Sequence, residues 1–291
     1  MPLSKIQIDI LRLLASHRDP ESYVAGSTPL NRDAPRYSGD IAVFHDREER
    51  VARAAGQDSA LLQQQGYALK WLRREPNIYA VLAERADETT KLEWVVDSEF
   101  RFFPTLRDEN FGYVLHPVDL TTNKVAAAYG RREPRDVVDL LTIHDQILPM
   151  GAVVWASAGK ALGFTPEGII NEIRRVARYT DADFRRLDSD PPLDPAATMT
   201  RLREILSDAE SFVTRMPTEK IGLLFLQGSK VVQPDPGRLP DYQTHAGQQR
   251  GHWPSNDEIT AAMFERAAHD KAYQRKLERQ RKQEPEQDRS R

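Results

Sequence analysis

Two short stretches decide the fold of this chain, and twelve residues separate them: Tyr23-Val24-Ala25-Gly26-Ser27 and Asp40-Ile41-Ala42-Val43-Phe44-His45-Asp46. The first predicts an apolar strand that ends in a Gly-Ser turn, and the second predicts a strand that opens with an acidic residue. Because side chains alternate along a strand, Asp40 and Ala42 share one face while Ile41 and Val43 point to the core. Position 42 is therefore where a second carboxylate would complete an Asp-x-Asp pair.

Composition limits the class of protein. The chain has 291 residues, and a hydrophobic content of 40% is enough to form a core. The net charge of −3 gives no global sign of nucleic-acid binding, although a local basic patch is compatible with it. The absence of cysteine excludes disulfides, thiolate metal sites and cysteine nucleophiles. Since no apolar run approaches the ~18 residues of a membrane span, we expect a cytoplasmic protein with no membrane partner.

The pattern of apolar residues changes near residue 116. Before it, helical spacing predicts an N-terminal amphipathic helix and a second helix over 46–65, and β-type runs predict strands over 67–72, 77–84 and 91–97. After it, helices are predicted over 118–129 and from Pro134, Pro166 and Pro195, with a late strand over 221–226. The predicted fold class is α/β (α+β), with a mixed sheet followed by a helical domain.

Three regions follow from this change of pattern. Residues 1–115 are predicted to form the α/β core and residues 116–232 the helical domain. Residues 233–291 are predicted to be a linker or arm over the surface, then a charged helix over 257–282 and a disordered end.

The Gly26-Ser27 turn and Asp40 match what phosphate chemistry requires. Two divalent ions that clamp the attacking and leaving oxygens of a phosphoryl group need carboxylates on one strand face. Glycine allows the backbone close to a phosphate, and the N–H groups at a helix start favour an anion. The alternative is that Gly26-Ser27 is only a turn and Asp40 only the start of a strand.

Glu93 is the candidate third carboxylate. In Lys91-Leu92-Glu93-Trp94-Val95-Val96-Asp97, the apolar residues Leu92, Trp94 and Val96 take one face, and Glu93 and Asp97 take the other. A carboxylate among strand residues needs a partner, because an unpaired buried charge is unfavourable. That partner is either a metal ion or a nearby arginine.

Basic and acidic residues alternate in the stretch from His116 to Leu140. Lys124 is placed on one helix face with Arg131, and its ammonium could reach a triphosphate as a point charge. Asp136 and Asp139 lie near the start of the next helix. The alternative for these acids is a surface pair between Arg135 and Asp139, four residues apart, with Asp136 favoured by the helix dipole.

These blocks together resemble the AbiEii/AbiGii-type nucleotidyltransferase toxins, a family that includes the mycobacterial MenT toxins. The resemblance rests on four blocks in order: Ala25-Gly-Ser-Thr-Pro-Leu-Asn-Arg32, Arg36-Tyr-Ser-Gly-Asp40-Ile41, Lys91-Leu-Glu93-Trp94, and Asp119-Leu-Thr-Thr-Asn-Lys124 leading into Arg135-Asp136-Val-Val-Asp139-Leu140. It covers about residues 20 to 145 by motif and the helical half more loosely. The last block is the most specific.

The resemblance implies a toxin that transfers nucleotides from an NTP with Mg²⁺, in several cases to tRNA 3′ ends, and that is restrained by a cognate antitoxin. Gly26 and Ser27 would hold phosphate, Lys124 the triphosphate, and Asp136 or Asp139 would be the later acid of the family. Asp40, position 42 and Glu93 would hold metal. From their positions beside the turn, Arg32 and Arg36 could contact RNA or pyrophosphate; the alternative is that both are solvated loop charges.

Ala42 departs from the family pattern, which has aspartate there. Two explanations are open: a degenerate relative that does not catalyse, or an Asp→Ala substitution that disarms a toxic enzyme, which the intact flanking motif favours. Three functions follow: transfer of nucleotides to RNA, transfer to a hydroxyl of a small molecule or protein, and binding without catalysis.

Overall fold

The structure is a computed structural model that describes residues 3–32, 34–98 and 100–249. The strands in these ranges are β1 (Ser22–Ala25), β2 (Asp40–His45), β3 (Ala68–Glu75), β4 (Ile78–Arg85), β5 (Glu88–Val96), β6 (Phe100–Arg101), β7 (Leu106–Asp108), β8 (Gly112–Val114), β9 (Leu223–Gln227), β10 (Lys230–Val232), β11 (Gln243–Ala246) and β12 (Gln248–Gln249). The helices are α1 (Lys5–Leu14), α2 (Ser27–Leu30), α3 (Glu48–Gln64), α4 (Pro117–Gly130), α5 (Pro134–Gln146), α6 (Met150–Ser157), α7 (Pro166–Val176), α8 (Asp181–Arg185) and α9 (Pro195–Val213).

A seven-stranded mixed sheet organises the first half of the chain. Its strand order is β3-β4-β5-β2-β1-β8-β7. β2 runs parallel to β5 and β1 runs parallel to β8, while the other neighbours in this sheet are antiparallel. The two strands predicted to carry the acidic residues, β2 and β5, are therefore direct neighbours. The predicted fold class, a mixed α/β sheet followed by helices, is confirmed.

The two faces of the sheet pack on different layers. Ile41 and Val43 belong to a core shared with α1 and α3 on one face. On the other face Tyr23 and Ala25 belong to a core that continues into the helical half of the chain. Alternation along β2 therefore turns Asp40 and Ala42 away from the α1–α3 layer, towards the side on which the helical half lies.

Side-chain caps fix the predicted starts of two helices. The Thr165 hydroxyl accepts a hydrogen bond from the Gly168 amide at 3.0 Å, where α7 begins. The Asp194 carboxylate accepts one from the Ala197 amide at 3.0 Å, where α9 begins. In both helices proline occupies the first position, where its missing N–H has no helical partner to lose.

The sequence did not predict α6 as a separate helix. The helix predicted from Pro134 ends at Gln146 as α5, and the chain bends by 112° into α6. Every residue of α6 is buried, so its sequence carries no amphipathic period. Within the described ranges no single helix is long and apolar enough to cross a membrane, and only the bent pair α5–α6 meets that test of length and composition.

The prediction of a linker or arm after residue 233 was incomplete. β11 pairs with β9, and β12 pairs with β6 in a separate two-stranded sheet. The His245 ring lies 2.6 Å from the Phe102 carbonyl oxygen and stacks on Phe103. This part of the chain therefore returns to the first half, whereas the helix predicted over 257–282 lies outside the described residues.

A buried ionic cluster lies on the α1–α3 side of the sheet. The Asp58 carboxylate accepts hydrogen bonds from the Arg18 guanidinium at 2.8 and 2.6 Å and from the Trp94 indole at 2.7 Å. The His17 ring lies 2.7 Å from the same carboxylate. Asp58 is wholly buried, so three side chains, two from the segment after α1 and one from β5, depend on one charge.

Buried His45, at the end of β2, makes the stability of the fold depend on pH. Burial lowers the pKa of His45 to about 3, and the neighbouring Arg18 and Arg50 cations act in the same direction. Since the unfolded chain takes up this proton near pH 6.5, the contribution of neutral His45 to stability is lost as the pH falls below that value.

We expect His45→Leu to flatten the acid limb of the stability curve. Urea unfolding at pH 7 and pH 5 measures how much the free energy of unfolding falls between the two pH values. We expect that fall to be larger in the parent chain than in the variant by roughly 2 kcal/mol. Other buried histidines contribute equally to both proteins, so the difference isolates position 45. Equal losses in the two proteins would contradict this assignment.

Candidate active site

The Gly26-Ser27 turn lies directly against position 42. In the antiparallel pair of β1 and β2, Ala25 is the register partner of Ala42. Gly26 follows with a φ of +75°, a backbone conformation that residues other than glycine rarely adopt. A Cβ built on Gly26 would lie 3.5 Å from the Ala42 Cβ. The turn that was predicted to hold phosphate and the position expected to hold metal are therefore adjacent.

The helix after this turn is too short to provide the helix-start dipole that was expected to favour a phosphate. α2 is a single turn, and the Asn31 amide closes it by donating to the Ser27 carbonyl at 2.8 Å. A helix of four residues adds little macrodipole, so any attraction for an anion would come from local N–H groups and the Ser27 hydroxyl. The Thr28 hydroxyl binds the start of β2, because it donates to the Asp40 carbonyl at 3.0 Å.

Asp40 and Glu93 face the same side from neighbouring strands. In the parallel pair of β2 and β5, Asp40 is opposite Lys91 and Ala42 is opposite Glu93. Position 42 is thus the register partner of Glu93 and two residues along the strand from Asp40. The Glu93 carboxylate lies 2.5 Å from the Lys91 ammonium, so a lysine on the same strand is its ion-pair partner.

As they stand, these residues do not fit a pair of divalent ions. The described part of the chain contains no group of three or more histidine, aspartate or glutamate side chains placed to hold a metal. The register partner of Glu93 is Ala42, whose methyl group cannot bind a metal, and Glu93 is already engaged by Lys91. Two-ion catalysis requires carboxylate oxygens shared between the ions, and one carboxylate is missing from the set.

Lys124 and Asp139 meet in a buried ionic trio with Arg36. The Lys124 ammonium donates to Asp139 Oδ2 at 2.6 Å, and Arg36 donates to Asp139 Oδ1 from Nε at 3.1 Å and Nη2 at 2.8 Å. Although burial alone would raise the pKa of Asp139, the two cations hold it below its usual value. The alternative of a surface pair between Arg135 and Asp139 was wrong, because Asp139 is buried and bound by other partners.

Two predicted site residues lie outside this trio. Asp136 accepts two hydrogen bonds from Arg131, at 2.8 and 2.7 Å. Arg32 pairs with Asp108 on edge strand β7 at 2.6 Å, and its guanidinium lies 4.0 Å from the Phe111 ring centroid. Of the two candidate later acids, Asp139 is the one that contacts Lys124.

A second polar network on the same sheet face was missed by the sequence analysis. The Tyr23 hydroxyl donates to Asp97 and lies 3.0 Å from an Asp46 carboxylate oxygen, while Arg101 donates to Asp46 at 2.7 Å. The next residue, Arg47, occupies the N-cap position of α3. Burial raises the pKa of Asp46 to about 6, against the effect of Arg101. The alternation from Asp40 through Ala42 to Asp46 was the signal that could have indicated it.

Comparison with known proteins identifies the fold. No protein-family model and no curated protein sequence matches the chain. Among solved structures, the chain is similar to MenT4, a nucleotidyltransferase toxin from Mycobacterium tuberculosis, with a TM-score of 0.52 and 15% identity over 74% of this chain and 84% of that one.

A second likeness is weaker. An H. pylori protein whose assignment as a nucleotidyltransferase is provisional gives a TM-score of 0.43 and 12% identity, over 71% of this chain and 92% of that one. The match to MenT4 agrees with the fold that the four motif blocks predicted, and the chain shares the fold of the MenT-type nucleotidyltransferases.

Proposed function

We propose that this chain is a nucleotidyltransferase of the toxin type whose active site lacks one metal-binding carboxylate, at position 42. The observation that supports it most is the register of β2 and β5, which sets Asp40, position 42 and Glu93 on one face beside the Gly26-Ser27 turn. This arrangement occurs in a chain with the fold of a nucleotidyltransferase toxin.

Each side chain has a proposed role. Gly26 and Ser27 would bind phosphate through backbone N–H groups and the hydroxyl, and Lys124 would bind the triphosphate. Asp40 and Glu93, together with a carboxylate at position 42, would hold Mg²⁺. No catalytic step is assigned to a metal in the chain with alanine at position 42. Asp139 is the proposed later acid because it contacts Lys124, whereas Asp136 is paired with Arg131 and Arg32 with Asp108.

The proposed acceptor is RNA, and specifically the 3′ end of tRNA. A cognate antitoxin protein is the proposed partner, because the structure that shares this fold is named as a toxin. The proposed location is the cytoplasm, where both tRNA and NTPs are present. A second function, nucleotide or partner binding without catalysis, is favoured by one observation, namely the methyl group of Ala42 within the carboxylate set.

One experiment separates these functions. The Ala42→Asp protein is incubated with tRNA, Mg²⁺ and each of the four labelled NTPs, and the products are resolved on a denaturing gel. We expect extension of tRNA by at least one nucleotide. Label on a protein or small molecule, with tRNA unchanged, would instead indicate a non-RNA acceptor. The absence of any transfer, with nucleotide binding intact, would support the binding function and overturn the proposed activity.

A further inference from the structure

Asp139 divides its carboxylate between two cations from different parts of the chain. One oxygen accepts both hydrogen bonds from Arg36, which precedes β2, and the other accepts the bond from Lys124 in α4. The side chains of the three residues are between 1% and 8% exposed, so water contributes little to screening or solvating these charges. The geometry leaves each cation with its own carboxylate oxygen.

This division matters because Lys124 cannot bind both Asp139 and a phosphate group equally well. To reach a triphosphate, its ammonium must give up part or all of the 2.6 Å contact with Asp139. If Lys124 were the only partner, that movement would leave a buried carboxylate without a cation, which is strongly unfavourable. With Arg36 in place, the carboxylate stays paired after Lys124 has moved.

We infer that Arg36 is a positioning residue for nucleotide binding: it keeps Asp139 ion-paired, so that the Lys124 ammonium can move to a phosphate oxygen of an NTP. This inference rests on the proposed function of the site. It gives Arg36 a role through Asp139 rather than through contact with the nucleotide.

Hydrogen bonds fix both the side chain and the backbone of Arg36. Its Nη1 donates to the Tyr37 carbonyl at 2.9 Å while its Nε and Nη2 are directed at Asp139. The backbone on either side is fixed to the helical half, since the Tyr37 amide donates to the Asp188 carbonyl and the Asp190 amide donates to the Pro35 carbonyl. A guanidinium with fixed backbone and three committed N–H groups stays with its carboxylate when the lysine leaves.

Lysine is not an equivalent residue at position 36. The planar guanidinium directs two N–H groups at one oxygen and a third at a carbonyl, whereas an ammonium is a single point donor on a flexible stem. Arg36→Lys should therefore keep the charge but recover only part of the nucleotide affinity that Arg36→Met loses.

The test is a double-mutant cycle on the full chain, read as the dissociation constant for radiolabelled NTPs by equilibrium dialysis with Mg²⁺. We expect Arg36→Met to weaken binding roughly 10- to 100-fold, the equivalent of leaving a buried charged group without its partner. In an Asp139→Asn background the same change should alter the dissociation constant less than about twofold, because a neutral amide needs no cation.

Arg131→Met is the matched control. Like Arg36→Met, it removes an arginine from a buried carboxylate. That carboxylate, Asp136, also lies in α5, but it does not contact Lys124. We expect lower thermal stability from it and no change in nucleotide affinity. Thermal midpoints for every variant, with Arg36→Lys as a milder substitution, identify any protein that fails to fold.

Two outcomes would overturn the inference alone. An equal loss of affinity from Arg36→Met in both backgrounds would mean direct contact with the nucleotide, and no loss in either would mean that Arg36 plays no part. If the parent chain binds none of the four NTPs, the proposed function fails together with the inference. Coupling between Arg36 and Asp139, with a silent Arg131→Met, is the result that supports it.

Discussion

Aspartate in place of Ala42 should raise the rate of nucleotide transfer by about 10²–10³-fold, the factor that several kcal/mol of metal-centred stabilisation supplies at ~1.36 kcal/mol per decade. Position 42 is the register partner of Glu93 and lies two residues from Asp40 on the same face, so the new carboxylate completes a set of three. Gly26 has no Cβ, which leaves room for the larger side chain beside the turn.

The controls for this prediction separate charge from shape. Ala42→Asn has nearly the same volume as Ala42→Asp and no charge, so it should leave the rate close to that of the parent chain. Adding Asp40→Asn to the Ala42→Asp protein should abolish most of the gain. Initial rates of labelled-NTP incorporation at saturating Mg²⁺ provide the measurement. If Ala42→Asn gained as much as Ala42→Asp, a role for the carboxylate at this position would be contradicted.

Asp58→Ala should lower the free energy of unfolding by about 3–5 kcal/mol, which is the usual effect of removing one partner of a buried ion pair. The change leaves the Arg18 guanidinium buried without its carboxylate and leaves the Trp94 N–H without its acceptor. Both consequences fall on the α1–α3 side of the sheet, away from Asp40 and position 42. We therefore expect the protein to lose stability without a specific loss of nucleotide affinity.

Asp9→Ala is a suitable comparison for Asp58→Ala. Asp9 also pairs with a single arginine, Arg85, at 2.6 Å, but the two side chains are 33% and 40% exposed. Solvent screening limits such a pair to about 0–1 kcal/mol. Chemical denaturation of both variants at pH 7 gives the two values. A loss from Asp58→Ala no larger than that from Asp9→Ala would contradict the assigned role of the buried cluster.

Local patterns were sufficient to predict β1 to β5, β9 and most helices. β2 was predicted from alternation of Ile41 and Val43, and α7 and α9 from a cap followed by proline, because these signals depend on neighbours in sequence. α6 was missed because a helix buried on every side has no polar face to mark its period. β11 and β12 were missed because each depends on a partner strand far away in sequence.

The site shows the same division between local and distant information. The proximity of Gly26 to Ala42, and of Ala42 to Glu93, could be predicted from the sequence, because strand periodicity and motif order restrict both pairs. The trio around Asp139 was not, because Arg36 is about a hundred residues away and only the folded chain brings it to α5. Sequence spacing suggested Arg135 as the partner instead, since a helix places residues four apart together.

The parallel pairing of β2 with β5 also bears on the order of folding. β3, β4 and β5 are consecutive antiparallel strands that can pair through short loops. β2 pairs with β5 only across α3, β3 and β4, and we expect this more distant contact to form later. We expect Val81→Ala in β4 to slow folding, and Val43→Ala in β2 mainly to speed unfolding, in stopped-flow measurements. Equal slowing by both would contradict this order. Asp40 and Glu93 then come together only when β2 docks, so metal binding cannot guide the earlier steps of folding.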